Sequence, residues 1–569
     1  MLRLLILLLF LFFSQTSWAQ SPIFSSKALH HPIVAKNGMV ASQHPLATQV
    51  GLEILQKGGN AVDAAVGVGF ALAVVLPRAG NLGGGGFMLV HEADKGETKA
   101  INYRERAPKA ASRNMYLDES GEIDRDLINS SYQSSGVPGT VSGLLFALEK
   151  YGTMSPKEVL APAVRLAKKG FAVTHDLSRV LRALEGRIRK WPESEKIFYK
   201  GKEAYYEAGD LLIQEDLAKS LKLIAKQGAK AFYEGPIAEL IVADMQANGG
   251  LISMEDMADY KPQLTDVIWG DFQGYQVASM PPPSSGGVHL IQILNILEKY
   301  PLQESGHNSA ASIHLMTEAM KLAYADRSKH LGDPLFWEVP VAELLDKSYA
   351  DYLRKGIAAE RARPSTEIMP GSPTDYESEE TTHFSVVDKF GNVVSNTYTL
   401  NFSFGNGAVA KGTGILLNNE MSDFAAKPGS PDAFGLIGGE SNKVEPGKRP
   451  LSSMTPSIVF KDGKPFLVTG SPGGSRIITT VLQLILNSLV HEMNIAEATH
   501  APRIHHQWFP DILFIEKSLN ADTRKILEDL GHKLTERNAM GSTQSIMIKD
   551  GLLYGASDPR RPDARTKGY

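Results

Sequence analysis

Apolar positions recur with two different periods along this chain, and the change falls near Thr381. Before it, they mostly recur every three to four residues. That spacing predicts helices over residues 45–56, 61–75, 141–151, 156–169, 176–188, 214–226, 237–247, 288–300 and 310–326. The stretch 61–75 is apolar almost all round apart from Asp63, which predicts a helix buried on nearly all sides. Only short β pieces interrupt this region, at 88–90, 100–103, 267–269 and 275–278. After Thr381 the period becomes two, predicting strands over 384–388, 393–400, 457–460, 465–469, 512–516 and 544–548, with helices at 476–490 and 522–530. Asp462-Gly463 and Asp550-Gly551 supply hairpin turns. Helices first, strands later and no β–α–β rhythm predict an α+β fold.

The junction itself reads Glu379-Glu380-Thr381-Thr382-His383-Phe384-Ser385-Val386-Val387-Asp388. A polar loop, 364–380, meets a strand whose Phe384 and Val386 face one way and Ser385 and Val387 the other. The run Asp388-Lys389-Phe390-Gly391-Asn392 turns it into the next strand, with glycine at the turn. On these residues alone the threonines are β-branched residues opening a strand.

Composition narrows the setting. The chain has 569 residues, 43% of them hydrophobic, and a net charge of 59 − 63 = −4. Length alone allows two to four domains. No Lys/Arg cluster is interleaved with aromatics, which argues against nucleic acid as a partner. The absence of cysteine excludes disulfides, thiolate metal sites and a Cys nucleophile. Met1-Leu2-Arg3, the apolar run 4–13 and Ser17-Trp18-Ala19 have the layout of a cleavable signal peptide, residues 1–19, with the mature chain starting at Gln20. The run is too short for a bilayer span, so a periplasmic or secreted protein is expected, with no membrane span once the signal is removed.

Several clusters can carry chemistry. Arg104 ends a strand and suits bidentate capture of a carboxylate, or else a surface ion pair. Thr399 and Asn401 are placed on one face by strand alternation. Glu420 and Asp423 stand three apart and suit an ammonium group. They also suit a cation, but no His or third acid lies near at ligand spacing, so no metal is expected. Ser452-Ser453 offers two hydroxyls before a strand. Gly470-Ser471-Pro472-Gly473-Gly474-Ser475-Arg476 joins a strand to a helix, where free N–H groups attract an anion. The four glycines from Gly83 to Gly86 mark a backbone that turns tightly or is closely approached. They lack the following Gly-Lys-Ser/Thr and helix of a phosphate loop. Neither Gly-x-Ser-x-Gly nor His-Glu-x-x-His occurs.

These motifs, in this order, resemble the bacterial γ-glutamyltranspeptidases (glutathione hydrolases) of the N-terminal nucleophile hydrolase superfamily. The resemblance runs through Gly58-Gly59-Asn60-Ala61-Val62-Asp63-Ala64-Ala65, the glycine run, Tyr103-Arg104-Glu105, Thr381 to Asp388, Gly414 to Asn419, Arg449 to Met454 and Thr469 to Arg476. It implies a four-layer αββα sandwich and a precursor that cuts itself between Glu380 and Thr381. The products would be a large subunit, 20–380, and a small subunit, 381–569, intertwined as a heterodimer. It also implies Thr381 as nucleophile, Thr399 orienting it, and Gly473 and Gly474 as the oxyanion hole. Arg104, Ser452 and Ser453 would hold the substrate α-carboxylate, and Asn401, Glu420 and Asp423 its α-ammonium. The substrates implied are glutathione and other γ-glutamyl compounds, with amino acid or dipeptide acceptors and no cofactor. Two departures matter: family members carry Gln or Glu at position 420, and the lid loop 428–439 offers Phe434 where Tyr is usual. The competing readings are a glutaryl or β-lactam side-chain acylase of the same superfamily and a non-catalytic γ-glutamyl-binding protein. The intact ammonium site weighs against the first, and the retained Thr381 and Gly473-Gly474 against the second.

Overall fold

The computed structural model describes residues 28–369, 381–432 and 435–569. The signal segment, Gln20, Glu380 and Phe434 lie outside the described residues.

Two seven-stranded sheets, antiparallel throughout, form the centre of the molecule. The first runs Arg565–Gly568, Met39–Ser42, Thr382–Val387, Val393–Thr399, Gly85–Glu92, Glu97–Tyr103, Gln263–Asp266. The second runs Ile33–Ala35, Leu552–Ser557, Gln544–Lys549, Lys464–Thr469, Ser457–Lys461, Tyr275–Ser279, Ile268–Phe272. Thr382–Val387 and its hairpin partner Val393–Thr399 pack face to face on Lys464–Thr469 and Gln544–Lys549. Helices Pro45–Gln56, Ala61–Val75 and Thr140–Tyr151 cover the outside of the first sheet. Gly286–Leu297 and Ile495–His500 cover the second, with Ala310–His330 and Arg476–Leu489 packed beside Gly286–Leu297. The expected αββα sandwich is therefore present.

The alternation read at Thr382–Val387 decides which layer each residue joins. Phe384 and Val386 enter the core under Ala61–Val75, while Val387 joins the apolar core of the second sheet. The layer between the sheets is unusually rich in hydroxyls. Ser385 Oγ donates to Gln544 O at 2.8 Å, Ser395 Oγ to Thr469 O at 3.0 Å, and Thr469 Oγ1 pairs with Ser545 Oγ at 2.8 Å. The first two bonds tie one sheet to the other, the third joins neighbouring strands of the second sheet, and all three satisfy buried polar groups.

All fifteen residues of Ala61–Val75 are buried. Asp63 is tolerated because it closes a capping box with Asn60 and accepts N–H groups of Thr153 and Met154. The predicted helix 176–188 is split into His175–Ala183 and Glu185–Ile188.

The expected order of helices first and strands later is corrected. The first sheet interleaves strands from residues 39–103, 263–266, 382–399 and 565–568. Leu552–Ser557 and Arg565–Gly568 carry too mixed a pattern to read as strands, yet both pair fully. The predicted strand at 512–516 belongs to a separate three-stranded sheet.

Candidate active site

Thr381 is buried at the head of Thr382–Val387, and its Oγ1 lies 3.5 Å from Thr399 Oγ1, at the end of the neighbouring strand. Thr399 Oγ1 also accepts the backbone N–H of Asn401 at 2.8 Å. Thr399 and Asn401 converge, but not by strand alternation. The strand stops at Thr399, and Asn401 sits in the left-handed region at φ 72°. That turn swings the Asn401 amide towards the acids, where Nδ2 donates to Ser422 Oγ at 2.8 Å and Asp423 Oδ1 at 3.1 Å.

The glycine run lets the strands close on this point. A Cβ on Gly84 would lie 1.9 Å from Thr399 O, and one on Gly85 2.6 Å from Glu105 Oε2. Close approach, not phosphate binding, is the physical need at Gly84 and Gly85.

Opposite Thr381, Gly473 and Gly474 take φ 134° and 54° just before helix Arg476–Leu489. Among the described residues neither N–H has a backbone or side-chain acceptor. Two free donors beside a helix N-terminus give an anion-stabilising corner.

Arg104 follows strand Glu97–Tyr103 and is fully buried. The reading of it as a surface ion pair does not hold, because its guanidinium is sealed inside the site. It pairs with both acids of the short 3₁₀ turn Glu420–Asp423: Nη1 with Glu420 Oε1 and Nη2 with Asp423 Oδ2. Glu105 Oε2 lies 3.6 Å from Nη1. Three buried carboxyls thus share one guanidinium. Burial pushes the Glu105 carboxyl up to about 7, with Arg104 opposing the shift. Burial raises Glu420 and Asp423 as well, again against Arg104.

His383, two residues from Thr381, is not a base for it. Burial lowers its pKa to about 3, and both ring nitrogens are engaged, by Thr397 Oγ1 at 2.8 Å and Ser385 Oγ at 3.1 Å.

Ser452 and Ser453 are held by the turn that precedes helix Gly286–Leu297. Ser285 N and Oγ both donate to Ser452 O at 2.8 Å, and Ser452 N donates to Pro283 O at 2.9 Å. A small cavity brings Arg104, Thr381, Thr399, Asn401, Glu420, Asp423, Ser452, Ser453 and Gly474 together. Gly473 stands beside Gly474 without lining it. Glu105 and Arg327 were missed at the sequence level. Glu105 adjoins a residue already singled out. Arg327 lies one residue past the end of the periodic segment 310–326, and the helix runs on to His330.

Away from this cavity, His314, Glu318 and His532 place donor atoms within 4.8 Å of one another. Those atoms are already used. His314 Nε2 donates to Ala358 O at 2.7 Å, so its Nδ1 accepts from His532 Nε2 at 2.8 Å. Glu318 binds the buried Lys321 ammonium at 2.9 Å. A divalent cation would meet that ammonium's charge at close range.

The family model described as Gamma-glutamyltranspeptidase matches residues 47–567. The chain belongs to the γ-glutamyltranspeptidase family. It is 56% identical to the glutathione hydrolase proenzyme of Escherichia coli (strain K12), covering 95% of this chain and 93% of that protein. The acylase ACY 1 proenzyme of Pseudomonas sp. (strain V22) is 38% identical, with 92% of each chain covered. Among solved structures, cephalosporin acylase from Bacillus halodurans superposes with TM-score 0.86 at 29% identity, covering 97% of this chain and 98% of that one. Helicobacter pylori γ-glutamyltranspeptidase matches at 46% identity and TM-score 0.57, covering 58% of this chain and 94% of that one. The fold is thus common to transpeptidase and acylase branches, and this γ-glutamyltranspeptidase-family chain is an enzyme of the N-terminal nucleophile type.

Proposed function

We propose that the chain is a self-processing γ-glutamyltransferase and glutathione hydrolase in which Thr381 is the nucleophile. The observation that carries this is the facing pair Thr381 Oγ1 and Thr399 Oγ1, 3.5 Å apart, in a cavity that Gly474 and the Arg104–Glu420–Asp423 cluster also line.

In the precursor, Thr381 Oγ attacks the Glu380 carbonyl carbon. The Glu380–Thr381 C–N bond breaks as the ester forms, and water opens the ester to a Glu380 carboxylate and a free Thr381 α-amine. The large subunit is then 20–380 and the small one 381–569, and residues 1–19 direct export to the periplasm or beyond. An α-amine with a reference pKa of about 7.7–8.0 takes the hydroxyl proton near neutral pH without a histidine. Oγ then attacks the γ-carbonyl carbon of glutathione or another γ-glutamyl compound. Gly473 and Gly474 N–H groups stabilise the oxyanion. The leaving amine departs with a proton, and water or the amine of an amino acid or dipeptide acceptor resolves the γ-glutamyl ester.

Orientation comes from opposite charges at the two ends of the glutamyl Cα. Asn401, Glu420 and Asp423 receive the ammonium. Arg104, Ser452 and Ser453 form the carboxylate side. The ammonium side favours this reading over an acylase, whose acyl group carries no ammonium.

The test is the chain pattern. The purified protein should run as two chains, the smaller beginning at Thr381, and Thr381→Ala should remain one chain without activity. Processing that survives Thr381→Ala would overturn the assignment.

A further inference from the structure

The stretch 358–368, ahead of the proposed cut after Glu380, is bound to residues that would belong to the other subunit. Ala362 N donates to Leu530 O at 2.7 Å. Ser365 N and Oγ both donate to the Asp511 carboxylate, at 3.0 and 2.7 Å. Trp508 Nε1 donates to Ser365 O at 3.1 Å and to Ile368 O at 3.0 Å, so one indole N–H grips the short turn Ser365–Glu367 at both ends. Helix Ala310–His330 holds the same stretch from within the large subunit, where Lys321 Nζ donates to Arg363 O at 2.7 Å. Ser365 and Trp508 are both buried, and these bonds satisfy the polar groups that burial removes from water. His506 completes the set. Its Nδ1 accepts Trp508 N at 3.1 Å, which places the ring proton on Nε2, 3.3 Å from Asp511 Oδ1.

The residue before Trp508 meets the catalytic loop. Gln507 Oε1 accepts from Ser475 Oγ at 2.6 Å and from His505 Nε2 at 3.0 Å. Ser475 directly follows Gly474 and opens helix Arg476–Leu489, but its hydroxyl goes to Gln507 and does not cap the helix. Its carbonyl accepts from Tyr324 OH, on the same helix that holds Arg363. On the other flank, Ser471 Oγ accepts Ser542 N at 2.9 Å. Gly473 and Gly474 lie between these two anchors with no side chain of their own to fix them, so the flanking bonds set their conformation. Trp508 itself sits in the left-handed region at φ 72°, which is costly for a bulky residue and is sustained by the packing around it. If the indole is released, the strained backbone relaxes and carries Gln507 with it.

We propose that Trp508 and Gln507 are positioning residues for the oxyanion donors: Trp508 and Asp511 retain the large subunit's tail, Gln507 holds Ser475, and retention of the tail keeps Gly473 and Gly474 aimed at the reacting carbonyl. This rests on the oxyanion role given to Gly473 and Gly474 above.

Hydrogen exchange and steady-state kinetics on the two-chain enzyme, with γ-glutamyl anilide as substrate, test the link. Trp508→Phe keeps a ring and removes the N–H. Exchange should rise in peptides from 358–368 and also in peptides spanning 470–478. kcat should fall by about 10-fold, the range for one hydrogen bond lost from a buried site, with KM unchanged. Ser365→Ala is a smaller change on the tail itself and supplies the answer if Trp508→Phe does not fold or process. It should show the same pattern with kcat lowered about 3-fold. Ser475→Ala cuts the link at the loop. It should lower kcat without loosening 358–368, and adding Trp508→Phe to it should cost little further. Faster exchange in 358–368 with unchanged kcat and unchanged exchange in 470–478 would overturn the inference and leave the oxyanion reading standing, as would a loss confined to KM. A Gly473→Ala enzyme with the parent kcat would instead defeat the oxyanion reading itself.

Discussion

The Thr381 and Thr399 hydroxyl oxygens face each other at 3.5 Å, and Thr399 Oγ1 is itself fixed by the Asn401 backbone N–H at 2.8 Å. The nucleophile is therefore oriented by a residue on the adjacent strand, which in turn is set by the left-handed turn at Asn401. Thr399→Val keeps the shape and removes the hydroxyl. It should slow both self-cleavage and anilide turnover by about 10-fold or more, the range for one lost hydrogen bond in a buried site. Unchanged rates, measured by gel and by anilide release, would remove Thr399 from the account.

Gly473 and Gly474 occupy backbone conformations that L side chains rarely adopt, at φ 134° and 54°. Alanine at Gly473 must shift the loop and displace the donors. We expect kcat to fall by about 10²–10³-fold, the cost of one oxyanion donor, with KM for the γ-glutamyl anilide little changed. A change confined to KM would point to a role in binding.

The ammonium side predicts graded effects. Glu420→Gln still offers Arg104 an acceptor and should raise KM only a few-fold. Asp423→Ala removes a buried carboxylate that engages both Arg104 and Asn401. It should raise KM by about 10²-fold, and it should narrow the preference for γ-glutamyl over glutaryl anilide. Steady-state kinetics on both substrates check this.

How much of this was legible in sequence depended on how local the signal was. Ala61–Val75 and Pro156–Lys169 were readable to the residue, because helical periodicity and caps lie within the segment itself. Arg565–Gly568 was not. Its polar residues become a strand only by pairing with Met39–Ser42 at the far end of the chain. The site followed the same rule. Thr381, Glu420 and Gly473 sit in dense motifs that a family resemblance picks out. Arg327 sits in the last turns of helix Ala310–His330, which is buried on nearly all sides, and only tertiary packing shows that no carboxylate among the described residues pairs with it. The pairing of Arg104 with Glu420 and Asp423 likewise joins residues more than 300 positions apart.

Glu105 gives the site a pH dependence with a definite sign. Its carboxyl is raised by burial from an ordinary 4.5 to about 7 in the folded protein. The stability it contributes is fully present below pH 4.5 and is lost as pH rises through about 7. The parent Tm should accordingly fall between pH 5 and 8. Glu105→Gln, uncharged and of the same shape, should flatten that part of the curve. Parallel melting profiles for the two proteins would contradict this.

The central claim is that Thr381, freed as a chain end, carries the γ-glutamyl group. Peptide mapping by mass spectrometry after mixing with a slowly turned-over γ-glutamyl donor tests it most directly. The predicted result is a glutamyl adduct on the small-subunit peptide whose first residue is Thr381, abolished by hydroxylamine treatment as an ester should be. An adduct on any other residue, or a small subunit beginning elsewhere than Thr381, would contradict it.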